Sequence, residues 1–156
     1  MITVTMSAMI CADRQSVWRA LTVPSELIRW DERILDLLEP APDYPCPGQL
    51  VRWRYRLGQV PVIMHDRPVE VSPNERIRSN LELGPLHFDS THNLAVNGSA
   101  PSTSLSLKVI ASNSAPVVGG LIDRFDVRRI ATSFVESRLR CLKGWLEREA
   151  RGENPE

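Results

Sequence analysis

The residues of this 156-residue chain best suited to chemistry are a tyrosine, a histidine and an acid that fall on apolar strand faces. Tyr55 sits in Val51-Arg52-Trp53-Arg54-Tyr55-Arg56-Leu57, where strict alternation puts Val51, Trp53, Tyr55 and Leu57 on one side and three arginines on the other. A tyrosine on a buried face needs a partner for its hydroxyl, which makes it a polar anchor for a ligand. His92 shares a face with Phe88, Ser90 and Leu94. It is a candidate ligand contact or general acid–base, with a hydrogen-bonded core histidine as the plainer alternative. Asp66 depends on register. Along Val60–Val71 either Val62, Met64 and Asp66 point inward, or Ile63, His65 and Arg67 do, and a bulge near Pro68 would switch one to the other. Tyr55, His92 and Asp66 are the catalytic candidates. Trp30, Trp53, Tyr55, Met64, Phe88, Ser90, His92 and Phe125 are the ligand-binding candidates.

Other chemistries find little support. His87, Asp89 and His92 are close in sequence, but alternation puts His92 on the face opposite the other two, so no metal is expected. Cys11, Cys46 and Cys141 are odd in number and lack CxxC spacing, and reduced thiols in a cytoplasmic protein are expected. No Gly-rich phosphate loop, Walker sequence or G-x-S-x-G elbow is present, and no cofactor is expected. Arg52, Arg54 and Arg56 read as a solvated face, because the aromatic residues between them face away. Acidic and basic residues balance at 19 each, so no global field draws the chain to nucleic acid or to an anionic membrane. No 18-residue apolar run predicts membrane insertion, and the first residues lack the pattern of a signal peptide. The oligomeric state is left open.

The elements that must position these side chains follow from periodicity. The longest is Gly120 to Glu149, free of proline. Leu121, Phe125, Thr132, Val135, Leu139, Leu142 and Leu146 recur at three- and four-residue steps, and Ile130, Phe134, Cys141 and Trp145 widen the stripe. Such a helix spans roughly 45 Å at about 1.5 Å per residue and requires a broad apolar partner. Ile2–Ile10 alternates as a half-buried strand, Asp13 stands as N-cap to a helix carrying Val17, Trp18 and Leu21, and Pro24 opens a short helix ending near Trp30. Strands follow at Ile34–Leu38, Val51–Leu57, Val60–Val71, Arg76–Leu83, Leu86–Val96 and Thr103–Ala111. Their connections are too short for crossover helices, so the sheet is antiparallel. Ser112–Ala115, Pro116 and Gly119-Gly120 read as a hinge. Trp18 and Trp145 read as core. A single domain over residues 1–150 and a disordered tail over 151–156 are expected.

The segments ADRQSVWRALTVPSELIRW at Ala12–Trp30, RPVEVSPNERI at Arg67–Ile77, and GGLIDRF with SRLRCLKGWLERE within Gly119–Glu149 carry a resemblance over nearly the whole chain. In this order of elements the chain resembles the START/Bet v 1-like (SRPBCC) superfamily, in particular its polyketide cyclase/dehydratase branch. The resemblance implies an α+β helix-grip fold: a curved antiparallel sheet of about seven strands wrapped on a long C-terminal helix, with two short helices after the first strand. It also implies a small-molecule cavity with Trp30 near its mouth. Three functions are carried forward: binding of a hydrophobic, aromatic or polyketide-like small molecule; a cyclase, aromatase or dehydratase using the same cavity; and a protein-interaction module whose cavity is vestigial.

Overall fold

The computed structural model describes residues 1–98, 101–113 and 124–153, except for the side chains of residues 124 and 125. Its elements are β1 (Ile2–Ile10), α1 (Arg14–Thr22), α2 (Pro24–Trp30), β2 (Ile34–Leu37), β3 (Val51–Leu57), β4 (Val60–Ser72), β5 (Arg76–Leu83), β6 (Leu86–Val96), β7 (Thr103–Asn113) and α3 (Arg124–Ala150). The strands form one antiparallel sheet in the order β1-β7-β6-β5-β4-β3-β2. Sequential strands from β2 to β7 are neighbours, as short turns demand, and β1 closes beside β7. Turn chemistry explains the joints: Gly58 between β3 and β4, Asn74 between β4 and β5, and Gly84 between β5 and β6 all take positive φ.

The helices start where local chemistry allows. Asp13 accepts a hydrogen bond from Ser16 N at 2.7 Å, satisfying an orphan amide of α1, and Pro24 occupies the first turn of α2. Gly152, at φ 73°, terminates α3. Its N–H donates to Glu149 O, and the N–H of Glu153 donates to Arg148 O. Residues 151–153 thus form a closing turn, while the rest of the expected tail lies outside the described residues. So does most of the expected hinge; Ser112 and Asn113 instead extend β7. The expected start of α3 at Gly120 is likewise outside them.

The concave face of the sheet and the apolar stripe of α3 bury each other. Val127, Ala131, Phe134, Val135, Leu139, Leu142 and Leu146 of α3 are buried, as are Leu105, Leu107, Val109 and Ala111 of β7. Each Å² of apolar area that this contact removes from water stabilises the fold by about 25 cal/mol. Polar ties fix the end of α3 over β1: Glu147 Oε2 accepts from Cys11 N at 3.0 Å, and Lys143 Nζ donates to Met9 O. Trp18 and Trp145 are only partly buried, packed on the edge of the core rather than within it. The β4 register resolves with Met64 and Asp66 buried, and a bulge between Pro68 and Glu70 shifts the pairing with β5.

Candidate functional site

The inward faces of β3 to β6, Phe134 and Arg138 of α3, and Tyr44 from the 38–50 loop surround a small cavity of about 30 Å³. That is room for one or two water molecules, far below the roughly 300–1,000 Å³ of drug-sized sites. Its apolar wall includes Leu21, Leu27, Trp53, Met64, Ile77 and Leu81, and its polar wall is Tyr44, Asp66, Ser79, Ser90, His92 and Arg138. Two polar clusters account for that second wall.

The first is built on Arg138, at the centre of the apolar stripe of α3. Arg138 Nη1 donates to Asp31 Oδ2 at 2.9 Å, and its Nε donates to His92 Nε2 at 3.1 Å. The guanidinium carbon lies 5.1 Å from the centroid of Trp30, over the ring. Asp31 sits there because it ends α2, where its N–H donates to Leu27 O; its Oδ1 accepts from Arg33 N at 3.1 Å. The side chains are only 12% exposed for Arg138 and 4% for Asp31. Each needs the other, since an uncompensated buried charge is costly. His92 accepts at Nε2, so its proton resides on Nδ1. Burial, and then the Arg138 charge, holds its pKa well below the usual histidine range, so the imidazole is neutral. Its Nε2 is therefore occupied and unsuited to take a proton from a substrate.

The second cluster is built on Asp66. Tyr44 Oη donates to Asp66 Oδ2 at 2.8 Å, and Trp53 Nε1 donates to the same oxygen at 3.2 Å. The Tyr44 and Trp53 rings meet edge to face, with centroids 5.5 Å apart and planes at 82°. Asp66 Oδ1 and Ser79 Oγ are buried beside each other, and neither makes a hydrogen bond of good geometry. Burial raises the Asp66 pKa above the ordinary carboxylate range, against the side chains of Tyr44, Trp53 and Ser79 beside it and the charge of Arg138. This carboxyl is the cavity group best suited to exchange a proton.

The sequence candidates divide between these surroundings. Trp53, Met64, Asp66, Ser90 and His92 line the cavity. Trp30, Tyr55 and Phe88 are buried but stand behind the lining. Trp30 is held by its Nε1 hydrogen bond to Ala20 O at 2.8 Å, and Phe88 packs edge-on to Phe134 at 5.3 Å. The Tyr55 hydroxyl is engaged by Arg33, and burial pushes its pKa up to about 12, against the opposing Arg33 and Arg138 charges. The side chain of Phe125 lies outside the described residues. His87 and Asp89 sit on the outer face of β6, where Asp89 forms a bidentate pair with Arg78 at 3.0 and 2.9 Å. Tyr44, Asp31, Ser79 and Arg138 were not singled out from sequence. Arg138 had a signal: it stands four residues after Phe134 and four before Leu142, a charge in the middle of the stripe.

No family model matches the sequence, and no curated protein matches it. Solved structures do. A START superfamily protein from Mycobacterium smegmatis superposes with a TM-score of 0.75 at 15% identity, covering 94% of this chain and 97% of that one. The Zhui aromatase/cyclase from Streptomyces sp. R1128 superposes at 0.71 with 17% identity, covering 99% of both chains. A conserved protein from Geobacillus kaustophilus superposes at 0.71 with 14% identity, covering 93% and 95%. At such identities the likeness is one of fold. Together with the seven-stranded sheet gripping α3, it establishes that this chain has the START/Bet v 1-like helix-grip fold, with a START superfamily protein and an aromatase/cyclase among its structural neighbours.

Proposed function

We propose that this protein binds a hydrophobic small molecule bearing a polar group, held between the sheet and α3. The observation that carries this reading is the buried polar wall of Asp66, Ser79, Ser90 and Arg138 facing an apolar one, in which Asp66 Oδ1 and Ser79 Oγ have only each other and no hydrogen bond of good geometry. A core that only had to be stable would do better with apolar residues there, because each unmatched polar group costs roughly 1–3 kcal/mol. A ligand hydroxyl, carbonyl or amine would satisfy them. An aromatic or polyketide-like molecule suits the ring-rich surroundings and accords with the aromatase/cyclase among the structural neighbours.

The same geometry supports an enzymatic second reading. Asp66 is a carboxyl of raised pKa, and Arg138 is a cation on the same cavity. An acid–base group and a cation are what a cyclisation or dehydration through an enolate requires, the first moving a proton and the second steadying the oxygen. The small cavity volume is the point in favour of the third reading, an interaction module. A thermal-shift series with a broad set of apolar ligands, flavonoids, naphthols and fatty acids among them, separates these. Ligands that bind only the native state raise Tm by mass action. No shift across the whole set would leave the interaction module as the better reading. A shift accompanied by conversion of a polyketide-like substrate, lost in Asp66→Asn, would favour the enzyme.

A further inference from the structure

We infer that Tyr44 is a displaceable internal occupant of the ligand site, and that it specifies the ligand as a planar ring carrying a hydroxyl donor. The inference rests on the small-molecule reading above and adds to it which residue must move and what replaces it. Tyr44 is not part of the sheet or a helix. It comes from the loop 38–50, which joins β2 to β3 and contains Pro40, Pro42, Pro45, Pro47 and Gly48. Main-chain hydrogen bonds tie this loop to the sheet at its ends, from Leu38 N to Arg52 O at 3.0 Å and from Gly48 N to Pro68 O at 3.1 Å. Between these ties the main-chain hydrogen bonds are local, from Tyr44 N to Ala41 O and from Gln49 N to Cys46 O. Tyr44 thus reaches the interior from a segment whose middle is joined to the sheet by side chains.

What Tyr44 does there is what a ligand would do. Its ring lies edge-on to Trp53, its hydroxyl donates to Asp66 Oδ2 at 2.8 Å, and it forms part of the lining of the cavity. The remaining space of about 30 Å³ cannot admit a ring beside it. A ring-shaped ligand therefore requires Tyr44 to leave, and the departing hydroxyl leaves Asp66 short of a donor. Only an incoming donor restores that bond, so a hydroxylated ring is favoured over its hydrocarbon analogue, as in sites built to hydrogen-bond a substrate hydroxyl. The seated tyrosine also lowers apparent affinity by the fraction of time it is away.

The test compares 2-naphthol with naphthalene on the wild-type protein and on Tyr44→Phe, with hydrogen exchange followed along the chain. Phenylalanine keeps the ring and the packing on Trp53 but loses the bond to Asp66, so closure weakens. We expect Tyr44→Phe to bind 2-naphthol about ten-fold more tightly than wild type, the factor of one hydrogen bond. We expect wild type to prefer 2-naphthol over naphthalene by a similar factor. Bound 2-naphthol should speed amide exchange in residues 38–50 while slowing it in β3 to β6. If exchange in 38–50 stays the same or slows on binding, Tyr44 remains seated and the inference is overturned, with the ligand-binding reading intact. Equal affinity for the two probes overturns the hydroxyl requirement. Failure of both proteins to bind 2-naphthol overturns the inference, and the ligand-binding reading falls with it only if the broad thermal-shift set also fails.

Discussion

Arg138 Nη1 stands 2.9 Å from Asp31 Oδ2 and joins the middle of α3 to the end of α2 through the interior. The pair is nearly dry, and each partner carries further contacts: His92 and Trp30 for Arg138, and Arg33 N for Asp31. An ion pair taken out of water gains little net stability over an apolar pair of the same shape, but it is costly to break halfway.

Asp31→Ala or Arg138→Ala should therefore each lower the unfolding free energy by about 3–5 kcal/mol in urea denaturation, whereas Asp31→Leu with Arg138→Met should recover most of that loss. A double variant as unstable as the two single losses added together would show that the charges do not act as a pair.

The parts of the structure that repeat were legible in the sequence, and the parts that converge were not. Alternation placed Trp53, Phe88, Ser90 and His92 correctly because a strand allows only two faces. The bulge near Pro68 lies where the two registers of β4 compete. Whether an inward residue meets the cavity or lies behind it is a different matter. Trp53 and Tyr55 share a face, yet only Trp53 lines the cavity, since Tyr55 sits against Phe134 and its hydroxyl is engaged by Arg33. Tyr44 had no periodicity to read, because the path of a proline-rich loop is set by the surface it packs on. Asp31 and Arg138 are 107 residues apart, and nothing local pairs them.

His92 gives a pH dependence of defined sign. Its folded-state pKa lies well below the ordinary 6.5, so the stability it contributes is present above about pH 6.5 and is lost as pH falls toward the folded value. Relative to His92→Gln, the wild-type protein should lose stability below roughly pH 6.5 by up to about 1.4 kcal/mol per pH unit. Carboxylate titrations shared by the two proteins cancel in the difference. Parallel stability profiles below that pH would mean that His92 is not held neutral.

Asp66 works in the opposite direction. Its folded-state pKa is raised above 3.8, so its contribution is fully present below that pH and is lost as pH rises through the folded value. Asp66→Asn should gain on wild type as pH rises from about 4 toward neutrality, read from paired denaturation curves. A variant that loses ground over that window would mean that the buried carboxylate is stabilised rather than strained.

The two tyrosines of the chain supply the last test, because the sequence holds only Tyr44 and Tyr55; Tyr55 is buried, Tyr44 is half-buried with its hydroxyl turned inward, and both hydroxyls are engaged. Burial raises Tyr44 well above 10, with Asp66 beside it adding to the effect, and pushes Tyr55 up to about 12. Both folded-state values exceed the unfolded one, so this stabilisation is full below pH 10 and disappears as pH rises through the folded values. A shift of about two units corresponds to roughly 3 kcal/mol for Tyr55. Alkaline titration of the native protein should show almost no phenolate absorbance near pH 10, then a late rise that coincides with loss of the circular-dichroism signal. Tyr44→Phe leaves Tyr55 alone and should remove half of the final amplitude without bringing the onset down to pH 10. In wild type, half the phenolate appearing near pH 10 with the fold intact would mean that one ring is open to water, and Tyr44→Phe would say which.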